Sequence, residues 1–160
     1  MKRLAVAFSG PSNSGKTTLI LKVAQNFINK GLKVVVIKHD PADKAKFDVE
    51  GKDSYKFSQT GADVVVLSST RTTYFSQDKS NLDDVIKMIG DFDLLLVEGL
   101  KTLPLPRISV FKDDIDENYL SFSNAIATYK KDISYPNITN IDLDSIDEIC
   151  DWILKNSKAV

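Results

Sequence analysis

The chain has 160 residues and a mass of 17.8 kDa, which predicts a single domain over residues 1–160 with a sizeable core. Hydrophobic residues make up 42% and charged residues 27%, a composition that excludes a disordered or collagen-like protein. The single Cys150 and the single His39 exclude an intramolecular disulfide and a cysteine- or histidine-rich metal site. The net charge of −1 is unevenly distributed, because residues 1–80 carry 13 Lys/Arg against 7 Asp/Glu and residues 81–160 carry 8 against 15.

In chain order, the apolar pattern predicts alternating strands and helices. Continuous apolar runs are typical of strands buried on both faces of a parallel sheet, and they occur at residues 4–8, 34–37, 64–67 and 94–97. Helical spacing is found at residues 16–30, 53–60 and 80–89, each followed by a glycine that ends the helix. Residues 72–76 could add an edge strand.

The second half continues the alternation less regularly. Residues 107–111 and 124–128 are expected to be strands, and residues 145–148 form a capping box that begins a final helix. We therefore predict an α/β fold with a mostly parallel, doubly wound sheet flanked by helices. The longest loop covers residues 39–52, and loops of such length are usually functional or mobile.

The strongest motif is at residues 10–17, GPSNSGKT, which fits G-x-x-x-x-G-K-[ST] between a predicted strand and a predicted helix. The glycines let backbone N–H groups point inward and form an anion site at the helix N-terminus. Lys16 would reach the β- and γ-phosphates of a nucleotide, and the Thr17 hydroxyl would bind Mg²⁺. The sequence thus predicts a P-loop; a coincidental glycine-rich turn is the alternative.

A second motif is the run LLLVEG at residues 94–99. An apolar strand that ends in a carboxylate is the usual source of the acidic group that faces bound Mg²⁺, here Glu98. Gly99 would let the backbone turn closely beneath the phosphates. Glu98 as an ordinary surface residue at a strand end is the alternative, and Lys101 is either a second cation for the ligand or a solvated side chain.

Charged residues also follow the second predicted strand, at the same edge of the sheet. Lys38 and Asp40 are expected to face the phosphate and metal region. His39 would either contact phosphate or pack within the loop.

The segment at residues 47–54 allows two interpretations. Asp53 or Ser54 would cap the following helix. Alternatively, Lys52 would contact phosphate or substrate, and Asp48 would add an acidic group near the metal.

Together these segments resemble one family, the molybdopterin-guanine dinucleotide biosynthesis protein B (MobB) group. The resemblance rests on residues 10–18, 37–40, 51–54 followed by 61–62, and 96–101, whose order and spacing hold over residues 3–112. It implies a protein that binds GTP and Mg²⁺, is usually a homodimer, and assists the enzyme that joins GMP to molybdopterin. Any catalysis of its own would be slow GTP hydrolysis. The residues alone leave the base open, because the guanine-reading motif Asn-Lys-x-Asp is absent from the sequence.

Carried onto this chain, the resemblance and the motifs give a set of expected site residues. Lys16 and Glu98 would be catalytic, and Thr17, Glu98 and Asp40 would hold the metal. The nucleotide or cofactor cleft would be lined by Gly10, Ser12, Asn13, Ser14, Gly15, Lys16, Thr17, Thr18, Lys38, His39, Asp40, Lys52, Asp53, Gly99 and Lys101.

The same residues leave one alternative function open and argue against nucleic-acid and membrane binding. A small-molecule kinase, or another P-loop GTPase of cofactor or metal-centre assembly, is the alternative function. A sequence pI of about 5.8 gives little support to nucleic-acid binding. No apolar run approaches the roughly 18 residues of a membrane span, so we expect a cytoplasmic protein without a membrane partner.

Overall fold

The computed structural model describes residues 3–160 and divides into two compact units. The first unit is Met1–His39 with Asp91–Val160, and the second unit is Asp40–Gly90. In chain order, the elements are β1 (Leu4–Ser9), α1 (Lys16–Asn29), β2 (Val34–Lys38), α2 (Asp53–Ser58), β3 (Val64–Leu67), β4 (Thr72–Phe75), α3 (Leu82–Ile89), β5 (Leu94–Glu98), β6 (Arg107–Phe111), a 3₁₀ helix (Glu117–Phe122), β7 (Ala125–Thr128), β8 (Thr139–Asp142), α4 (Ile146–Asn156) and β9 (Lys158–Ala159).

The first unit is built on one sheet with the strand order β2-β5-β1-β6-β7-β8. All pairs along this path are parallel. The short strand β9 pairs antiparallel with the start of β1. The prediction of a mostly parallel α/β sheet flanked by helices is therefore confirmed.

The core of the first unit lies where the apolar runs predicted it. The side chains of β1 from Ala5 to Phe8 and of β5 from Leu94 to Val97 are buried, and both strands are central in the sheet. Helix α1 adds apolar side chains at every fourth position, and α4 packs beside it. Each such large apolar side chain contributes roughly 1.5–3 kcal/mol on burial. The buried helical residues in this core are Leu19, Ile20, Val23, Phe27, Ile149, Cys150 and Ile153.

The second unit corrects one expectation. Residues 64–67 form the strand β3, but it pairs antiparallel with β4 in a separate two-stranded sheet. Val65 is 56% exposed and Leu67 is 78% exposed, so the run is not buried on both faces. A β-branched run favours a strand, yet composition does not reveal which sheet will take it. The possible edge strand at residues 72–76 is confirmed as β4.

Helix ends differ from the prediction in two places. Asn81 caps α3, and its side-chain oxygen accepts a hydrogen bond from the backbone N–H of Asp84 at 3.0 Å. The predicted capping box at residues 145–148 is wrong in detail, because the side chain of Ser145 makes no capping hydrogen bond. Helix α4 nevertheless begins there. Between residues 3 and 160, no helix combines the length and apolar character needed to cross a membrane.

Candidate functional site

The loop between β1 and α1 is shaped by glycines that no other residue could replace without distortion. Gly10 has φ +142°, and a Cβ added there would lie 2.6 Å from the Val110 carbonyl oxygen and 2.8 Å from Ser14 Oγ. Gly15 has φ +92° and directly precedes α1. The loop is also tied to the chain after β6, since the N–H of Lys112 donates to the Ser14 carbonyl oxygen at 3.0 Å.

The N-terminus of α1 is left open for an anion. No side chain caps the helix through Gly15, and its first turn carries no acidic residue. The first N–H groups of a helix have no partner within the helix and concentrate positive partial charge. The buried hydroxyl of Ser14 likewise has no hydrogen-bond partner among the described residues. This arrangement suits a phosphate group.

Two lysines surround one carboxylate beside this loop. Lys16 Nζ donates to the Gly10 carbonyl oxygen at 2.9 Å and lies 3.5 Å from Glu98 Oε1. Lys38 Nζ lies 3.3 Å from Glu98 Oε2. The Glu98 side chain is only 16% exposed, so its charge is compensated within a partly buried cluster.

Strand register explains why these side chains meet. In the parallel sheet, Glu98 on β5 is level with Phe8 on β1 and with Lys38 on β2. Each of these strands ends within one residue of that level. The carboxyl ends of three neighbouring strands therefore lie together, which is where ligands bind in open α/β sheets.

The loop and the strand ends enclose a cleft of about 470 Å³. It brings together nine of the predicted site residues, all of them in the first unit. Pro11, which belongs to the predicted motif at residues 10–17, also lines it, as does Lys112, which the sequence did not single out. The predicted residues in the lining are Ser12, Asn13, Ser14, Gly15, Lys16, Thr17, Thr18, Lys38 and Glu98.

Four further predicted residues of the first unit are not in the cleft lining, namely Gly10, His39, Gly99 and Lys101. A Cβ built on Gly99 would lie 3.2 Å from the Cβ of His39, whose N–H donates to the Glu98 carbonyl oxygen at 3.1 Å. His39 therefore packs over the turn at Gly99. Lys101 Nζ lies 4.3 Å from the centre of the Tyr119 ring, a cation–π contact with the 3₁₀ helix.

The remaining predicted residues belong to the second unit, and none of them is in the cleft lining. Asp40 Oδ2 accepts a hydrogen bond from the N–H of Ala45 at 2.6 Å, which holds the start of the loop. Neither Asp53 nor Ser54 caps α2, because the capping position is Lys52 and no side-chain cap is made. The Asp53 side chain is largely exposed and lies 4.0 Å from Lys56. The ligand roles of Asp40, Lys52 and Asp53 stay predictions.

Sequence reasoning missed Arg107, which is 1% exposed. Its Nη1 donates to Ser9 Oγ and to the Gly99 carbonyl oxygen, each at 2.7 Å, and its Nη2 donates to the Leu100 carbonyl oxygen at 2.6 Å. Burial lowers the pKa of the Arg107 guanidinium. The residue ties β6 to the turn that follows Glu98. An arginine at the start of a predicted buried strand, residues 107–111, is the signal that could have revealed it.

The donor set at the cleft fits a nucleotide-bound magnesium ion. Protein-bound Mg²⁺ prefers oxygen ligands and often takes only one or two of them from the protein, with phosphate and water completing its shell. Thr17 supplies a hydroxyl and Glu98 a carboxylate within the cleft lining. Within residues 3–160, no group of three or more His, Cys, Asp or Glu side chains is placed to hold a metal ion.

A parallel sheet, a glycine-shaped loop and a lysine at the start of the following helix define the P-loop NTPase-like class of proteins. The family model for molybdopterin guanine dinucleotide synthesis protein B matches residues 5–131 of this chain. The chain therefore belongs to the MobB family, as its motifs predicted.

Individual relatives agree with this assignment. The molybdopterin-guanine dinucleotide biosynthesis adapter protein of Haemophilus influenzae is 31% identical over 163 residues, covering 92% of this chain and 86% of that protein. A putative adapter protein of Methanocaldococcus jannaschii is 34% identical over 110 residues, but the match spans only 45% of that relative and 65% of this chain. A crystal structure of molybdopterin-guanine biosynthesis protein B superimposes with a TM-score of 0.77 at 25% identity, covering 95% and 99% of the two chains. The role of an adapter in molybdopterin-guanine dinucleotide biosynthesis is thus supported at the level of the family.

Proposed function

We propose that this chain binds GTP and Mg²⁺ at the loop of residues 10–17 and assists the nucleotidyltransferase that attaches GMP to molybdopterin. The observation that carries this proposal is the open N-terminus of α1 beside the cluster of Lys16, Glu98 and Lys38. The family membership supplies the pathway, because the relatives are named as adapters of that biosynthesis. The choice of guanine as the base follows from the same relationship.

Different residues of the cleft would bind the phosphates and the metal ion. Backbone N–H groups of the loop and the Lys16 ammonium would hold the phosphates. Thr17 and Glu98 would hold Mg²⁺, which neutralises charge on the phosphates when bound. Since Lys16 now donates to Gly10, it would exchange that carbonyl oxygen for a phosphate oxygen, while Lys38 could keep its contact with Glu98.

Any GTP hydrolysis by this chain is expected to be slow. Arginine fingers accelerate such reactions by roughly 10³–10⁵-fold. No arginine is among the described residues that line the cleft. The buried Arg107 is already hydrogen-bonded to three oxygen acceptors. Lys16, the metal ion and the loop amides would then provide the electrostatic stabilisation for attack by water.

A nucleotide-binding panel tests the proposal directly. We expect GTP with Mg²⁺ to bind much more tightly than ATP. Lys16→Ala should abolish triphosphate binding, whereas Lys30→Ala, which removes an exposed lysine at the far end of the same helix, should leave it unchanged. Unchanged affinity in Lys16→Ala would refute the role of the loop. A strong preference for ATP, with phosphoryl transfer to a small molecule, would favour the kinase alternative.

We also propose that the protein acts as a cytoplasmic homodimer with the nucleotidyltransferase as its enzyme partner. The support is the family relationship, because an adapter acts by binding another protein, here the nucleotidyltransferase. Light scattering on the purified protein should give twice the 17.8 kDa of one chain. A mass of one chain at concentrations used for GTP binding would refute the dimer.

A further inference from the structure

The second unit contains a pocket of its own, of about 410 Å³. Its lining comes from residues 47–54, which include the start of α2, and from the hairpin of β3 and β4 with its turn. It shares no lining residue with the cleft at residues 10–18. Pockets that hold small molecules have volumes of roughly 300–1,000 Å³, so this one is large enough for a small organic ligand.

The charged groups of this pocket favour an anion. Lys52 and Arg71 both line it, and neither side chain has an ion-pair partner among the described residues. Asp48 is the one acidic side chain among the described residues of the lining. The hairpin turn fixes the backbone of Arg71, because its N–H donates to Ser68 Oγ at 3.1 Å and its carbonyl oxygen accepts from the N–H of Ser68 at 3.0 Å. The two cations thus exceed the acid by one charge.

One carboxylate oxygen in the lining lacks a donor. Asp48 Oδ1 accepts hydrogen bonds from Ser54 Oγ at 2.7 Å and from the N–H of Val49 at 3.0 Å. Asp48 Oδ2 is buried and has no hydrogen-bond partner among the described residues. A buried acceptor without a partner is costly, so an N–H group of a ligand that reached Oδ2 through a shift of the Asp48 side chain would be favourable.

Apolar side chains line the same pocket although much of their surface is exposed. Phe47 is 82% exposed, Val49 is 61% exposed and Val66 is 38% exposed. Large apolar side chains around a few polar groups are typical of sites that take a ring. A ring placed against Phe47 would remove apolar surface from water at both partners.

We propose that this pocket binds a phosphate monoester of a nitrogen heterocycle whose ring carries an amide–amine edge, as guanine and pterins do. Lys52 and Arg71 would hold the phosphate, Asp48 Oδ2 would accept a hydrogen bond from the ring edge, and Phe47 would cover a ring face. The choice of ring rests on the proposed function, since a molybdopterin-guanine dinucleotide contains both kinds of ring. Lys52, expected beside the nucleotide from the sequence, would thereby serve a second site.

Neopterin monophosphate is a suitable probe because its ring is fluorescent, and GMP provides the guanine arm. Binding of both is measured in the Lys16→Ala background, which removes the contribution of the loop at residues 10–17. We expect Arg71→Met and Lys52→Met each to weaken binding about tenfold or more, the loss typical of one charge-assisted hydrogen bond. Lys87→Met, an exposed lysine of α3 outside the pocket lining, is the matched control.

Further measurements test the contributions of the phosphate and of the ring separately. Neopterin without phosphate should bind more weakly than its monophosphate and should be insensitive to Arg71→Met. Inorganic phosphate alone should compete poorly, because it lacks the ring. Asp48→Asn should weaken the phosphorylated rings, since an amide N–H in place of Oδ2 would face a ring N–H.

The outcomes distinguish the pocket from the loop. If neither neopterin monophosphate nor GMP binds, or if Arg71→Met and Lys52→Met bind them like the parent protein, the pocket proposal is refuted. GTP titrations of the wild-type protein and of Arg71→Met test the loop independently. GTP binding without pocket binding would overturn this inference alone, whereas pocket binding without GTP binding would overturn the proposed function alone.

Discussion

The buried Arg107 offers the sharpest test of how the site is held in place. Arg107→Met keeps a long side chain in the same space but removes the donors to Ser9 Oγ and to the carbonyl oxygens of Gly99 and Leu100. Those three acceptors would then lack their partner, and Ser9 is only 2% exposed. The turn after Glu98 would lose its tie to β6.

Two opposing effects determine how much Arg107→Met changes the free energy of unfolding. Each partly buried acceptor left without a donor costs about 1–3 kcal/mol. Burial also lowers the pKa of Arg107, which reflects a desolvation cost that Arg107→Met would recover. Because three acceptors lose their donor while the desolvation cost of only one charge is recovered, we expect the free energy of unfolding to fall by about 2–4 kcal/mol. For a chain of this size, that corresponds to a fall in Tm of roughly 5–15 °C.

Urea and thermal unfolding of wild type, Arg107→Met and Arg107→Lys provide the assay. Arg107→Lys keeps the charge but loses the planar fork, so it should recover only part of the stability. Arg71→Met, which alters an exposed arginine, should change Tm by less than about 2 °C. An Arg107→Met variant as stable as wild type would show that the guanidinium bonds contribute nothing net, and the reasoning would be wrong.

Four other substitutions test the loop before α1, the carboxylate at the end of β5 and the buried thiol. Gly10→Ala should disrupt the loop and GTP binding, since its Cβ would meet the Val110 carbonyl oxygen at 2.6 Å and its backbone strain adds roughly 1–3 kcal/mol. A Cβ at Gly31 would meet no atom within 4 Å, so Gly31→Ala should cost only the left-handed backbone strain, about 1–2 kcal/mol of stability, and should leave GTP affinity unchanged. Equal GTP affinity in Gly10→Ala and Gly31→Ala would contradict the proposed role of Gly10 in the loop. Glu98→Gln should reduce the gain in GTP affinity that Mg²⁺ provides more than it reduces affinity without Mg²⁺; equal losses would make Glu98 structural. Burial raises the pKa of Cys150 to about 11 from 9.0, so the thiol stabilises the fold below pH 9 and this contribution is lost as pH rises towards 11. Cys150→Ala should remove that part of the alkaline loss of stability in urea unfolding, and an unchanged pH profile would contradict the assignment.

The sequence predicted the parts of the site that depend on local pattern and on strand order. A glycine-spaced loop between an apolar run and a helix is a local signal, and Lys16 lies where that signal put it. The meeting of Lys38 and Glu98 follows from the parallel register of two strands that end together. Apolar runs are reliable for such central strands because both faces are buried.

Other features could not be predicted because they depend on distant partners. The two-stranded sheet took residues 64–67 for reasons of pairing rather than composition. Strand β8 has the sequence TNID, whose polar residues hide the apolar pattern by which strands are recognised, and β9 has only two residues. The role of Arg107 required knowing that three acceptors from β1 and from the turn after β5 converge on it.

The hairpin of β3 and β4 has a consequence for the energetics of opening. Among the described residues of the second unit, Val64 and Ile86 are the buried hydrophobic side chains, whereas the first unit holds a large cluster. An isolated two-stranded hairpin is marginally stable in water. Amide hydrogens of residues 64–75 should therefore exchange through sub-global opening at a lower free energy than those of β1 and β5. A ligand bound to this unit would shift that equilibrium towards the closed form and slow the exchange.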